Sequence, residues 1–229
     1  MKGKKSNVFI YMILTILAVV FLAPIFIILF NSFKGKLYIS DAPFKLPTAE
    51  TFSGLQNYID GLSKTGFLSA FGWSIFITFF STIVIVLFTA MTGWYITRSK
   101  TKVSTSLYFI FVFSMIVPFQ MVMFTMSKVA NMLNLDNPVG LIVLYLGFGA
   151  GLSIFMFSGF VKSIPIDIEE AALIDGCNPI KTFFLIVLPL LKPICITVAI
   201  LNVMWIWNDY LLPSLVLKSD YKTIPMAVQ

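Results

Sequence analysis

The sequence predicts an all-α fold, a polytopic transmembrane helical bundle, and three observations carry that reading. Charged residues make up 11% of the 229, where a soluble domain carries about 25%. The mean hydropathy is +0.95, so most of the chain belongs in lipid. Five apolar segments each reach the roughly 20 residues that a helix needs to cross a hydrocarbon core about 30 Å thick.

The spans are expected at about residues 8–30, 67–92, 104–125, 138–160 and 189–207, within a single transmembrane domain covering 1–229. The first follows Lys2, Lys4 and Lys5, but its apolar run exceeds the roughly 7–15 residues of a signal-peptide core, and no small-x-small site follows Phe30. It is read as a retained helix. The fifth apolar stretch begins at Phe183, and Pro189, Lys192 and Pro193 interrupt it. Its lipid-spanning part is expected to start near Pro193, with Lys192 reaching the interface. Lys2, Lys4 and Lys5 precede span one, and Arg98, Lys100 and Lys102 fill the loop between spans two and three. The positive-inside rule places both regions, and with them the amino terminus, in the cytoplasm. Parity then returns residues 161–188 to the cytoplasm. The closing "YKTIPMAVQ" reads like the middle of a loop, so a further span is expected beyond Gln229.

Composition excludes several functions. No histidine occurs, which removes HExxH zinc sites, Ser/His/Asp triads and histidine proton relays. Cys177 and Cys195 are the only cysteines and favour neither a disulfide framework nor a metal site. The net charge of +6 comes from scattered lysines, which fits membrane topology better than a nucleic-acid surface. No GxxxxGK[ST] loop is present, so the chain itself is not expected to bind ATP.

Against this background, Asp167, Glu169, Glu170 and Asp175 place four of ten carboxylates within nine residues. Asp167 is expected as an N-cap with Glu170 at N3, since acids in a first turn oppose the helix dipole. Gly176 suits the left-handed position that ends a helix. Asn178 and Pro179 then open a second helix, expected to run to about Leu188 and to stop at Pro189. Ala171 and Ala172 are small enough to let another surface approach closely. Capping and solubilisation explain Asp167 and Glu169; they do not explain the spacing of the other positions.

Glu170-Ala171-Ala172, Gly176, and then Ile186-x-Leu188-Pro189 resemble the EAA loop of permease subunits of ATP-binding-cassette (ABC) importers. Asn31-Ser32-Phe33-Lys34, Asn57-Tyr58, Pro118, the stretch from Asn134 to Pro138, and Trp207-Asn208-Asp209-Tyr210-Leu211-Leu212-Pro213 are similar to the carbohydrate-importer branch, near the second permease of maltose and multiple-sugar systems. One departure is Trp73-Ser74, where the branch carries Asn-Ser. The resemblance implies the ABC importer permease fold, with six helices and a cytosolic EAA coupling helix.

It also implies a binding-protein-dependent importer in the bacterial plasma (inner) membrane that moves an oligosaccharide or other sugar into the cell. This chain and a second homologous permease would form the path. Two ATPase subunits would hold ATP and Mg, and an external sugar-binding protein would deliver the solute. The chain would be a transporter subunit, not an enzyme, with no cofactor, no catalytic residue and no metal of its own. Glu169, Glu170, Ala171, Ala172, Asp175 and Gly176 would couple it to the ATPases, with Glu170 the residue meeting a basic group.

Gln120, Asn202 and Trp205, with Trp207 nearby, are candidates for the sugar path, because polar residues within a membrane mark function and aromatic faces receive sugar rings. Packing competes in each case: tryptophans gather at interfaces and an asparagine can bond a neighbouring helix. An importer for another solute, a stand-alone secondary transporter and a membrane scaffold are the alternatives. Intramembrane acids for ion coupling and paired repeats are missing from the sequence.

Overall fold

The computed structural model describes residues 2–228, with side chains from Val8 onward. The side chains of Lys2, Lys4 and Lys5, and the further span expected past Gln229, lie outside the described residues. The chain forms two compact units, residues 1–67 and 68–229.

The first unit holds α1 (Lys2–Asn31), α2 (Lys36–Asp41) and α3 (Gln56–Lys64). The loop after α1 is organised around buried polar groups. Lys34 is 1% exposed; its ammonium donates to the Ala42 carbonyl at 2.8 Å and lies 5.1 Å from the centre of the Phe30 ring. Asn57 donates to the carbonyls of Ser32 and Lys34 at 2.8 and 2.6 Å, and Tyr58 shares a hydrogen bond with Ser32. Two motifs separated by more than twenty residues thus form one polar knot, with Phe33 against Phe52 and Tyr58. On α3, hydrogen bonds from Lys64 and Gln56 hold the Asp60 carboxyl below its ordinary range.

The second unit is built on α4 (Phe67–Ser99), α5 (Lys102–Ser114), α6 (Phe119–Met132) and α7 (Pro138–Val161). Among the described residues, three helical stretches are long and apolar enough to cross a membrane alone: Val8–Asn31, Phe67–Ser99 and Pro138–Val161. Two bent pairs raise the number to five if each counts as one span. The apolar stretch 104–125 is one of them: α5 and α6 meet at 105°. Pro118 is the cause. A proline keeps the preceding residue out of the helical region, so α5 ends at Ser114, Met115 and Ile116 tighten into i−3 hydrogen bonds, and α6 starts after Pro118.

α7 is the hub of this unit. Asn137 caps it, accepting from the amides of Val139 and Gly140, with Pro138 at N1. Its small residues admit neighbours on several sides, as membrane helices require when van der Waals contact drives packing. A Cβ on Gly149 would sit 2.9 Å from Ile85 of α4, and one on Gly151 would sit 2.7 Å from the Phe111 carbonyl of α5. Beyond α7 follow α8 (Asp167–Ile174), α9 (Pro179–Leu190), α10 (Lys192–Asn208), α11 (Leu211–Val216) and α12 (Ile224–Val228).

Pro189 does not stop the helix that Asn178 opens. Residues Phe183–Val187 adopt a π-helical turn, in which the Leu188 amide reaches back to the Phe183 carbonyl, and α9 passes through Pro189 to Leu190. The break comes at Leu191, where α9 and α10 meet at 77°. Pro193 accounts for it: its ring opposes the carbonyl four residues back, at Pro189, and it offers no amide.

Candidate functional site

The acid-rich loop folds as a short capped helix. Ile166, rather than Asp167, is the N-cap; it is already helical and no side chain caps the turn. The Ile166 carbonyl accepts from both Glu169 and Glu170. The reason lies in Pro165, whose fixed φ pre-sets the entry and moves the helix start one residue upstream. Asp167, Glu169 and Glu170 still occupy the first turn, where negative charge opposes the dipole.

The other end follows expectation closely. Gly176 has φ +84°, its amide bonds to the Leu173 carbonyl, and the Cys177 amide bonds to Ala172. This pair of bonds is a Schellman motif. A Cβ on Gly176 would meet nothing within 4 Å, so conformation rather than space demands glycine. Gly176→Ala is expected to cost about 1–2 kcal/mol, read as a lower melting midpoint of the purified protein. Asn178 then caps α9 by accepting from the Lys181 amide at 2.9 Å.

The carboxylates divide by orientation. Glu169 turns inward and is 6% exposed. Its Oε1 accepts from Arg98 Nε at 2.9 Å and lies 2.8 Å from Nη2, while Oε2 accepts from the Trp94 indole at 2.9 Å. Arg98 also donates to the Ile164 carbonyl at 2.9 Å. One guanidinium at the end of α4 therefore holds the loop at two points. Removing one partner of a buried pair costs about 3–5 kcal/mol; the value here falls lower because part of Arg98 reaches solvent. Glu170, Ala171 and Asp175 face outward, and the Glu170 carboxylate makes no hydrogen bond or ion pair among the described residues. Ala172 is buried, so the two alanines lie on different faces and only Ala171 belongs to the open one. Leu173 and Ile174 extend that open face with apolar surface.

Arg98 entered the sequence reading only as a topological charge, and Trp94 did not enter it. Their spacing carries the signal: i and i+4 on one helix face, at the end of an apolar span, present two donors together.

The proposed path residues lie elsewhere. Asn202 is buried and donates to Ser153 Oγ at 3.3 Å and to the Val198 carbonyl at 2.9 Å, tying α10 to α7. It also borders a cleft of about 290 Å³ with Phe148 and Trp205. Trp205 meets Tyr145 edge-on at 5.4 Å, and the Tyr145 hydroxyl donates to Asp209, whose other oxygen caps α11. Gln120 is exposed in the first turn of α6 and is not among the residues lining this cleft. At the departure noted above, Ser74 accepts from the Ile224 amide at 2.8 Å and Trp73 packs edge-on against Tyr221.

Residues 87–228 match the family described as "Binding-protein-dependent transport system inner membrane component". The chain belongs to this family. The permease is 40% identical over 214 residues to the "Probable starch degradation products transport system permease protein AmyC" of Thermoanaerobacterium thermosulfurigenes, covering 93% of this chain and 77% of that protein. It is 35% identical to the "Multiple sugar-binding transport system permease protein MsmG" of Streptococcus mutans, covering 98% and 82%. A third relative is the "Melibiose/raffinose/stachyose import permease protein MelC" of Bacillus subtilis, 31% identical over 90% of this chain and 74% of that one.

Among solved structures, a chain of a bacterial ABC transporter involved in the import of the acidic polysaccharide alginate aligns with a TM-score of 0.81 at 24% identity, covering 99% of the permease and 79% of that chain. That likeness concerns the fold: an all-α, multi-span bundle of the ABC importer type. The permease is thus a multi-pass membrane protein and a transporter subunit. Among the described residues, no group of three or more His, Cys, Asp or Glu side chains stands together in a way that would hold a metal ion.

Proposed function

We propose that this permease forms half of the translocation path of an ATP-driven importer for an oligosaccharide. A second homologous permease supplies the other half, two ATPase subunits hold the ATP and Mg, and an external binding protein delivers the sugar. The observation that carries the sugar reading is the agreement of relatives: three proteins 31–40% identical, each matched over at least 90% of this chain, are named for transport of starch products, multiple sugars or raffinose-type sugars.

In this reading the amino terminus and residues 161–188 are cytoplasmic, and the open face of α8 meets the ATPase. Glu170 supplies a free carboxylate, Ala171 permits close approach, and Asp175 and Gly176 fix the end of the lever. Glu169 and Ala172 act from its inner face. The cleft at Phe148, Asn202 and Trp205 lies on the sugar path, where aromatic faces pack against the apolar faces of a sugar ring and Asn202 offers its carbonyl oxygen. Gln120 is a more peripheral member of that path.

The test is uptake by vesicles holding the complete importer and its binding protein, with radiolabelled maltotriose, raffinose and diacetylchitobiose offered beside an amino acid mixture. ATP-dependent accumulation of one of the sugars is expected. Accumulation of amino acids alone would overturn the sugar reading. Within the same assay, Trp205→Ala is expected to raise the KM for uptake several-fold while the four-subunit complex still assembles; an unchanged KM would remove Trp205 from the path.

A further inference from the structure

The loop has two covalent continuations, back to α7 and forward into α9, yet its tightest polar attachment is to neither. Glu169 of α8 and the Ile164 carbonyl, five residues apart, are both held by Arg98 of α4, and Trp94 of α4 holds the second oxygen of Glu169. The Trp94 ring also lies 5.5 Å from Phe183, the first residue of the π-helical turn in α9. Behind it, Gly93 brings α4 so near α7 that a Cβ there would sit 2.8 Å from Phe157 Cβ.

These contacts unite the start of α8, the π turn and the end of α4 in one packed body. Its apolar part is Ala90, Phe157, Val161, Ile164, Phe183 and Val187, joined by Leu191 and by Val198 of α10. On its way into α10 the chain passes two irregular points, the end of the π turn at Val187 and the 77° break at Leu191. Single π turns within helices are frequent at functional sites. The polar bonds of α8 and of the residues before it run to α4, whereas α10 shares only the apolar part of this body, through Val198 and the preceding Leu191.

We infer that Arg98 and Trp94 are positioning residues for energy coupling, clamping α8 to α4 so that movement imposed on α8 is carried into the span Phe67–Ser99. This inference rests on the reading of α8 as the ATPase contact. The guanidinium is specific to the task, because its planar fork reaches Glu169 and Ile164 together, whereas a lysine ammonium is a single point of charge.

The test measures whether α8 and α4 move as one. In the complete importer, with Cys177 and Cys195 replaced by serine, spin labels are placed at Ile168→Cys on α8, off the face that meets the ATPase, and Tyr95→Cys on α4, both exposed positions. The label-to-label distance is compared without nucleotide and with ATP trapped by vanadate. With the clamp intact the distance is expected to be the same in both states. With Arg98→Gln it is expected to change on trapping, and Arg98→Lys is expected to fall between.

Trp94→Phe keeps the ring and deletes one hydrogen bond, so it gives the same reading if Arg98→Gln does not assemble. A distance that changes on trapping in the intact protein overturns the inference; so does an assembled Arg98→Gln or Trp94→Phe importer with an unchanged distance. The underlying reading fails separately: Glu170→Lys would then leave the ATPases bound.

Discussion

Glu170→Lys is expected to strip the ATPases from the complex and to stop uptake, while the permease still inserts and folds. The prediction follows from where α8 sends its charge. Glu169 is consumed internally by Arg98 and Trp94, but Glu170 is exposed and its carboxylate makes no bond within the described residues. It sits one residue from Ala171 and on the same open face as Leu173 and Ile174, the last of which is 86% exposed. Glu170 is flanked by apolar surface at Ala171, Leu173 and Ile174, with Asp175 at the helix end, and a charge enclosed within an interface matters to it.

Truncating a residue at the centre of an interface costs about 2 kcal/mol or more, and every 1.4 kcal/mol is tenfold in affinity. Reversal of the charge against a basic partner adds repulsion, so recruitment should fall by about 30-fold or more. Co-purification of the ATPases with the permease measures it. The folded permease should lose little, because no side-chain contact is broken and only the first-turn dipole interaction, about 0.3–1 kcal/mol, is reversed. Wild-type recruitment together with wild-type uptake would sink the assignment of Glu170 to the interface.

The sequence reading succeeded where local chemistry decides the outcome. Gly176 and Pro179 act through their own backbones and Asn178 through a side chain that bonds three residues on, so their spacing alone places the end of α8 and the start of α9. The apolar runs are equally legible, since lipid selects for them directly. Helix bends were less so. Pro118, Pro189 and Pro193 were all visible, but a proline can terminate, kink or be absorbed, and the surrounding register decides which. At Pro189 the π turn displaces the preceding carbonyls and the helix continues; at Pro193 nothing compensates and the chain turns by 77°.

The inward role of Glu169 was illegible for a different reason. It depends on Trp94 and Arg98, which lie 75 and 71 residues away in sequence. No local rule separates Glu169 from Glu170. Only the direction of the burial face of α8 does so, and Pro165 sets that direction by starting the helix at Ile166.

Gly151→Val is expected to reduce the yield of folded permease sharply, and Gly147→Val is not. Both glycines lie on the hub helix α7, one helical turn apart. A Cβ on Gly151 would stand 2.7 Å from the Phe111 carbonyl oxygen, 2.7 Å from Ser114 Oγ and 2.8 Å from Met115 Cγ. The first of these is backbone and cannot turn aside. The second is engaged, donating to that same carbonyl at 2.6 Å. Met115 and Ile116 lead from there into the 105° bend, so α5 cannot retreat from α7 without carrying the bend with it.

Overpacking a site of this kind costs about 1–3 kcal/mol, a large share of the 5–15 kcal/mol that holds a typical domain together. At Gly147 a Cβ would meet nothing within 4 Å, and the position lines a cleft of about 370 Å³ with Phe148 and Val143. Valine there fills open space. Thermal midpoints of the two purified variants in one detergent measure the contrast: the Gly151 variant should melt well below the parent and the Gly147 variant beside it. Equal midpoints for the two would show that α5 yields at this crossing, and the close approach of α5 to α7 would no longer count as a determinant of the fold.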